Sequence, residues 1–314
     1  MADAVRAVQA AKIQRIGILS SLAETDPEAQ AWDSAFRRLL IELQWIEGRN
    51  VQIDHRWGAG DVDRMRLFAQ ELVRLNPDVL VGISTPATAA LQAATRKIPI
   101  VFAWVSDPVG SGFVSSLANP GGNITGFLNI ESSVIGKWIA LMHEIAPQVS
   151  RVGFLFNPQT APYARYYLDT FRSAASALKI EAINAPVLST EEVEAFMTKL
   201  GREAGAGLII MSDTSMNVYR NTIYSLAARY RLPTIYPYRF FVAEGGLMSY
   251  GVDVPDLLRG AASYVGRIFR GEAPRELAVQ QPTKFELAIN VKTAKTLGLA
   301  IPQSLLATAD ELVE

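Results

Sequence analysis

Hydrophobic positions along this chain fall into short buried runs separated by amphipathic segments. Arg15–Ser21 and Val51–Trp57 read as strands. Between them a helix opens at Asp26-Pro27, its apolar stripe set by Trp32, Phe36, Leu39, Leu40 and Leu43. Met65–Leu75 reads as a second helix, closed by Asn76-Pro77. Val79–Ile83 follows, unbroken and mostly branched, the pattern of a strand covered on both faces. Ile98–Ala103 is a fourth strand. Strands alternating with helices in this way predict α/β architecture with a doubly wound parallel sheet.

Asn119-Pro120-Gly121-Gly122-Asn123 breaks the pattern and reads as a passage between lobes, leading into Ile124–Phe127. After a helix over Ser132–Ile145 the pattern restarts. Arg151–Asn157 matches Arg15–Ser21 at an offset of about 136, and Leu232–Tyr236 matches Ile98–Phe102 at about 134. Gly207–Asn217 matches the stretch around Ser84 at about 128. Three matches in one order predict two similar βα halves. Gly245–Tyr250 and Phe285–Asn290 read as further strands, Pro255–Phe269 as a helix, and a last helix runs from Lys292 to Gly298. Passages near Ile124, Val252-Asp253 and Leu277–Gln281 would give two doubly wound lobes joined by a three-crossing hinge. The expected division is 13–121 plus 253–279 in the first lobe and 122–252 plus 280–314 in the second.

Composition narrows the chemistry. The chain has 314 residues, enough for two lobes, and its net charge is −1, which builds no field for nucleic acid. It has no cysteine and only His55 and His143, so disulfides, thiolate metal sites, thiol nucleophiles and His-based triads find no material. No cofactor is expected. No apolar run reaches the roughly 18 residues of a membrane span. Met1–Lys12 is Ala-rich and polar, without the apolar core of a signal peptide.

In an open parallel sheet, ligands bind beyond the carboxyl ends of the strands. Those ends supply Ser20, Ser21, Ser84, Thr85, Pro86, Ser106 and Asp107 from the first lobe. The second lobe supplies Asn157, Tyr163, Ser212, Asp213, Thr214 and Tyr236. Ser84-Thr85 before Pro86 also reads as an ordinary helix cap, and Asp213 as another. The two copies differ in charge: Ser212-Asp213 stands where Ser84-Thr85 stands in the first half. The first helix end would therefore suit a carboxylate, and Asp213 an ammonium. Leu22, Trp104, Phe127 and the tyrosines would favour a large or aromatic side chain.

Four motifs together resemble a known family. They are Ser84-Thr85-Pro86-Ala87, Ser106-Asp107-Pro108-Val109-Gly110, Pro120-Gly121-Gly122-Asn123-Ile124-Thr125-Gly126 and Ser212-Asp213-Thr214. The set resembles the ABC-transporter solute-binding proteins of the tryptophan- and tyrosine-binding type, over about Arg15–Gly298. The resemblance implies a type I periplasmic-binding-protein fold, monomeric and extracytoplasmic, closing over an amino acid and delivering it to a membrane permease. Such proteins usually begin with an export or lipoprotein signal, and Met1–Lys12 departs from that pattern.

Two other readings stay open at this stage. One is a two-lobed isomerase or racemase-like enzyme using Asp107 and Asp213 as an acid/base pair. It lacks the cysteine pair, strand-end lysine or metal ligands common in such folds. The other is the ligand-sensing part of a transcription regulator, for which Met1–Lys12 is too short to hold a helix-turn-helix.

Overall fold

The computed structural model describes residues 12–314. The reading of Met1–Lys12 as lacking a leader therefore falls almost wholly outside the described residues. The first lobe runs β1 (Gln14–Ser20), α1 (Pro27–Glu42), β2 (Val51–Trp57), α2 (Val62–Arg74), β3 (Val79–Ile83), α3 (Thr85–Ala94), β4 (Ile100–Val105) and β5 (Ile124–Leu128). The second begins with α4 (Val134–Ile145), β6 (Arg151–Phe156), α5 (Ala164–Ala177), β7 (Glu181–Pro186), α6 (Thr190–Leu200) and β8 (Ala206–Ile210). It continues through α7 (Thr214–Val218), α8 (Arg220–Arg229), β9 (Thr234–Tyr236), α9 (Arg239–Ala243) and β10 (Met248–Gly251). α10 (Val254–Phe269) follows, then β11 (Glu286–Asn290), α11 (Val291–Leu297), α12 (Gln303–Thr308) and β12 (Glu311–Val313).

Two sheets form, in the orders β2-β1-β3-β4-β5 and β12-β11-β10-β9-β8-β6-β7. All pairings are parallel except β10 with β11. The α/β, two-lobed architecture expected from the alternating pattern is the one observed. Its centre is β3, whose five residues are all buried between β1 and β4, as an unbroken branched run demands. α10 returns to the first lobe and packs on α1, β4 and β5. Its buried face (Val254, Leu257, Leu258, Ala261, Ala262, Val265) recurs every three to four residues, so one stripe does the packing.

The lobe boundary differs from the expected one at residues 121 and 122. β5 pairs with β4 in register Ile100↔Ile124, so it closes the edge of the first sheet. Pro120-Gly121-Gly122 is a turn within the first lobe, and the passage comes after Leu128. The third passage lies against that edge: Leu128 N–H donates to Gln280 O at 2.9 Å and Gln280 N–H to Gly126 O at 2.9 Å. Thr125 Oγ1 donates to Leu277 O at 2.5 Å. Two of the crossing segments thus lie side by side along the edge of the first sheet.

Candidate functional site

The carboxyl ends of β3 and β4 in the first lobe face those of β6 and β8 in the second. Between them lies a narrow void, too tight to admit a water molecule as it stands, walled by Ser84, Thr85, Trp104, Asn129, Tyr163, Ser212, Asp213 and Thr214. All eight residues are buried.

The first wall is a turn under strain. Ser84 has φ +108° and Trp104 φ +59°, both in the region L-residues avoid. Ser84 Oγ takes the Ala87 N–H at 3.3 Å and caps α3. Pro86 has no N–H, so fewer donors remain at this helix end than the bare cap motif suggests. Those left are the Thr85 N–H, which has no partner within the helix, and the Thr85 hydroxyl. The hydroxyl oxygen accepts Ser106 N–H at 3.2 Å, leaving its own proton to donate.

The second wall centres on Asp213. Its Oδ2 accepts Asn157 N–H at 2.6 Å, and its Oδ1 accepts Thr160 Oγ1 at 2.5 Å and Ser215 N–H at 3.0 Å. Three of the about four acceptor positions of a carboxylate are thus filled by its own lobe. Burial dominates its titration: loss of water pushes the carboxyl up from 3.8 to about 6, against the three hydrogen bonds that favour the charge. The buried carboxylate keeps about one acceptor position open.

The floor is a hydrogen-bonded network that spans both lobes. Asn129 accepts from Ser106 Oγ at 2.8 Å and donates to Ser212 Oγ at 2.9 Å and Tyr238 Oη at 3.1 Å. Trp104 Nε1 donates to Tyr238 Oη at 2.5 Å, and Ser212 Oγ bonds the same hydroxyl. Tyr163 Oη donates to the Ser212 carbonyl at 2.7 Å, and Thr214 Oγ1 donates to Ser21 Oγ at 3.2 Å. Trp32 meets Trp104 edge-on at 4.8 Å, and Phe240 stacks on Tyr238. Trp104 and Tyr163 are the aromatic members of a wall otherwise made of small polar side chains.

The family model of the ABC transporter substrate-binding proteins matches residues 26–313. The chain belongs to this family. It is 26% identical over 288 residues to a tyrosine-binding protein of Clostridioides difficile, covering 92% of this chain and 82% of that one. A conserved domain protein of Vibrio cholerae superimposes with TM-score 0.89 at 28% identity, over 96% of this chain and 100% of that one. A Streptococcus pneumonia domain in complex with L-Trp superimposes with TM-score 0.88 at 25% identity, over 96% of this chain and 99% of that one.

Within this substrate-binding protein the expected residues separate into groups. Ser84, Thr85, Tyr163, Ser212, Asp213 and Thr214 are brought together around the void. Ser21 and Ser106 stand one bond behind it, and Asn157 meets Asp213 through its backbone. Pro86 lines a neighbouring cavity of about 390 Å³ between α2, α3 and residues 159–162, which shares Thr85 with the void. Three residues point elsewhere. Ser20 Oγ accepts Leu22 N–H within its own turn. Tyr236 stacks on Phe241 in the core, because alternation along β9 turns it away from the strand end. Asp107, at φ +43°, accepts Gly110 N–H and lines a separate cavity with Glu131 and Tyr167. Asp107 and Asp213 therefore do not share one cavity, as an acid/base pair would require. Leu22 lies in the core and Phe127 packs on Tyr264, both away from the void. Asn129 and Thr160 were not anticipated. Asn129 follows the last residue of β5, so the strand-end rule applied to that strand would have found it.

Proposed function

We propose that this chain is the extracytoplasmic binding subunit of an ABC importer, holding an aromatic amino acid between its lobes and passing it to the membrane permease without catalysing a reaction. The observation that carries the reading is the pairing of opposite poles across one void. Thr85 at the amino end of α3 offers an N–H, a hydroxyl and the positive end of the helix dipole. Asp213 offers a carboxylate with an acceptor position to spare. An α-amino acid carries a carboxylate and an ammonium a few ångströms apart and answers both. Trp104 and Tyr163 in the wall would supply apolar surface for an aromatic side chain, and one relative is a tyrosine-binding protein while another holds L-Trp.

Titration calorimetry with L-tryptophan, L-tyrosine and L-phenylalanine tests the reading against tryptamine and indole-3-propionate. The first group should bind. The analogues, each lacking one charge, should bind at least tenfold more weakly, because each leaves one pole unpaired. Equal binding of tryptamine or indolepropionate would overturn the polarity, and binding of none of the amino acids would overturn the ligand class.

A further inference from the structure

Away from the void, one ion pair joins the lobes. Arg220 opens α8 in the second lobe, and its Nη1 lies 2.7 Å from Oδ2 of Asp26, the N-cap of α1 in the first. Arg220 is aimed from its own side. Glu244 Oε2 holds its Nε at 2.9 Å and is itself held by the Tyr224 hydroxyl at 3.1 Å, while Asn217 O accepts from Nη1 at 3.0 Å. Asp26 is fixed as well, its Oδ1 accepting Glu28 N–H at 2.9 Å. The Arg220 and Asp26 side chains are 14% and 10% exposed. Neither residue lines the void.

We propose that Arg220 is a closure latch, favouring the closed lobes without touching the ligand. Opening the hinge separates Arg220 from Asp26, while Glu244 moves with Arg220 and keeps it aimed for the next closure. The surroundings make the latch one-sided. Glu28 and Asp26 lie near Glu244 at the lobe junction, and burial first, then repulsion from Glu244 and Asp26, pushes the Glu28 carboxyl upward. Arg239, a second cation near Glu28 among the described residues, is paired with Glu311. Closing therefore gathers three acids around the Arg220 guanidinium, and without that cation the closed state is disfavoured. A latch outside the void changes the closed population alone. It scales affinity for every ligand by one common factor and acts on dissociation, since opening must precede release.

The inference rests on the closure reading above but on no ligand identity. The chain has no native cysteine, so single cysteines introduced at Glu42 on α1 and Glu194 on α6 take spin labels cleanly. Double electron–electron resonance then reads the lobe separation of the ligand-free protein. Wild type should show a closed population, and Arg220→Gln and Asp26→Asn should each lower the closed-to-open ratio about five- to thirtyfold. Asn keeps the capping oxygen of α1, so that variant reports the latch even if Arg220→Gln is poorly folded. The double variant should be no worse than the worse single one, because both remove the same pair. In calorimetry and stopped flow, Kd for every amino acid that binds should rise by the same factor as the closed fraction falls, through koff. A wild type without a closed population, unchanged single variants, additive losses or a shift in ligand preference would overturn the latch. If no amino acid binds, the distance measurement still decides it, and only the ligand reading fails.

Discussion

Replacing Asp213 by asparagine separates the ligand role of this carboxylate from its structural one. In the ligand-free protein its carboxyl titrates at about 6 instead of 3.8, a gap of about two pH units or ~3 kcal/mol. The folded value is raised, so the stabilisation from protonation is fully present below about pH 4 and lost as pH rises through about 6. At pH 7, Asp213→Asn removes that buried charge. It also turns an NH₂ toward one of three donors, Asn157 N–H, Ser215 N–H or Thr160 Oγ1, at a cost of about 1–3 kcal/mol. The two effects offset, and stability at pH 7 should change by no more than about 2 kcal/mol. Binding should not be spared. Loss of a charge-assisted bond to an ammonium weakens it by about 1.5–3 kcal/mol, roughly 10- to 150-fold in Kd. In wild type, affinity at pH 5 should be about tenfold lower than at pH 7, with nearly one proton released on binding there. Asp213→Asn should show neither effect. Calorimetry in two buffers of different ionisation enthalpy reads affinity and proton release together. A wild-type affinity flat from pH 5 to 7, or a variant that binds as tightly as wild type, would refute the reasoning.

Other parts of the molecule give separate outcomes. Asn129→Ala leaves Ser106 Oγ, Ser212 Oγ and Tyr238 Oη short of one partner each, and should raise Kd by about 1–3 kcal/mol with a smaller drop in melting temperature; an unchanged Kd would exclude the network from binding. Ala89 is exposed on the lip of the 390 Å³ cavity, so Ala89→Phe should fold normally. By narrowing the approach to Thr85 it should weaken binding of tryptophan more than of phenylalanine in parallel titrations. At Gly126, with φ +155°, a Cβ would lie 2.1 Å from Phe102 O. Gly126→Ala should therefore lower stability by about 2–4 kcal/mol in urea denaturation, by forcing β5 off β4.

The sequence made one kind of information legible and hid another. Strand-then-cap segments are local, so the ends of β3 and β8 could be read directly, and Ser84, Thr85, Ser212 and Asp213 do meet at one void. Side-chain direction at the last strand residue is set by pleat and local backbone, which are not written in residue type. Tyr236 falls on the core face while Tyr238, two residues on and past Pro237, reaches the floor. Asp107 has the residue type of a ligand group, but its positive φ aims the carboxylate at Gly110 N–H. Thr160 lies in the 157–163 turn, and its meeting with Asp213 across a sequence separation of 53 left no local trace. The lobe boundary was misplaced because Pro120-Gly121-Gly122 is a strong turn signal, and turn chemistry does not say whether the next strand joins the old sheet or a new one.

The central claim is that one zwitterion spans Thr85 and Asp213. A crystal structure with the tightest-binding amino acid tests it most directly. The account predicts the ligand ammonium within about 3 Å of an Asp213 oxygen, its carboxylate on the Thr85 N–H and hydroxyl, and its ring against Trp104 or Tyr163. A ligand seated with its carboxylate toward Asp213, or lying outside the interlobe void, would contradict it.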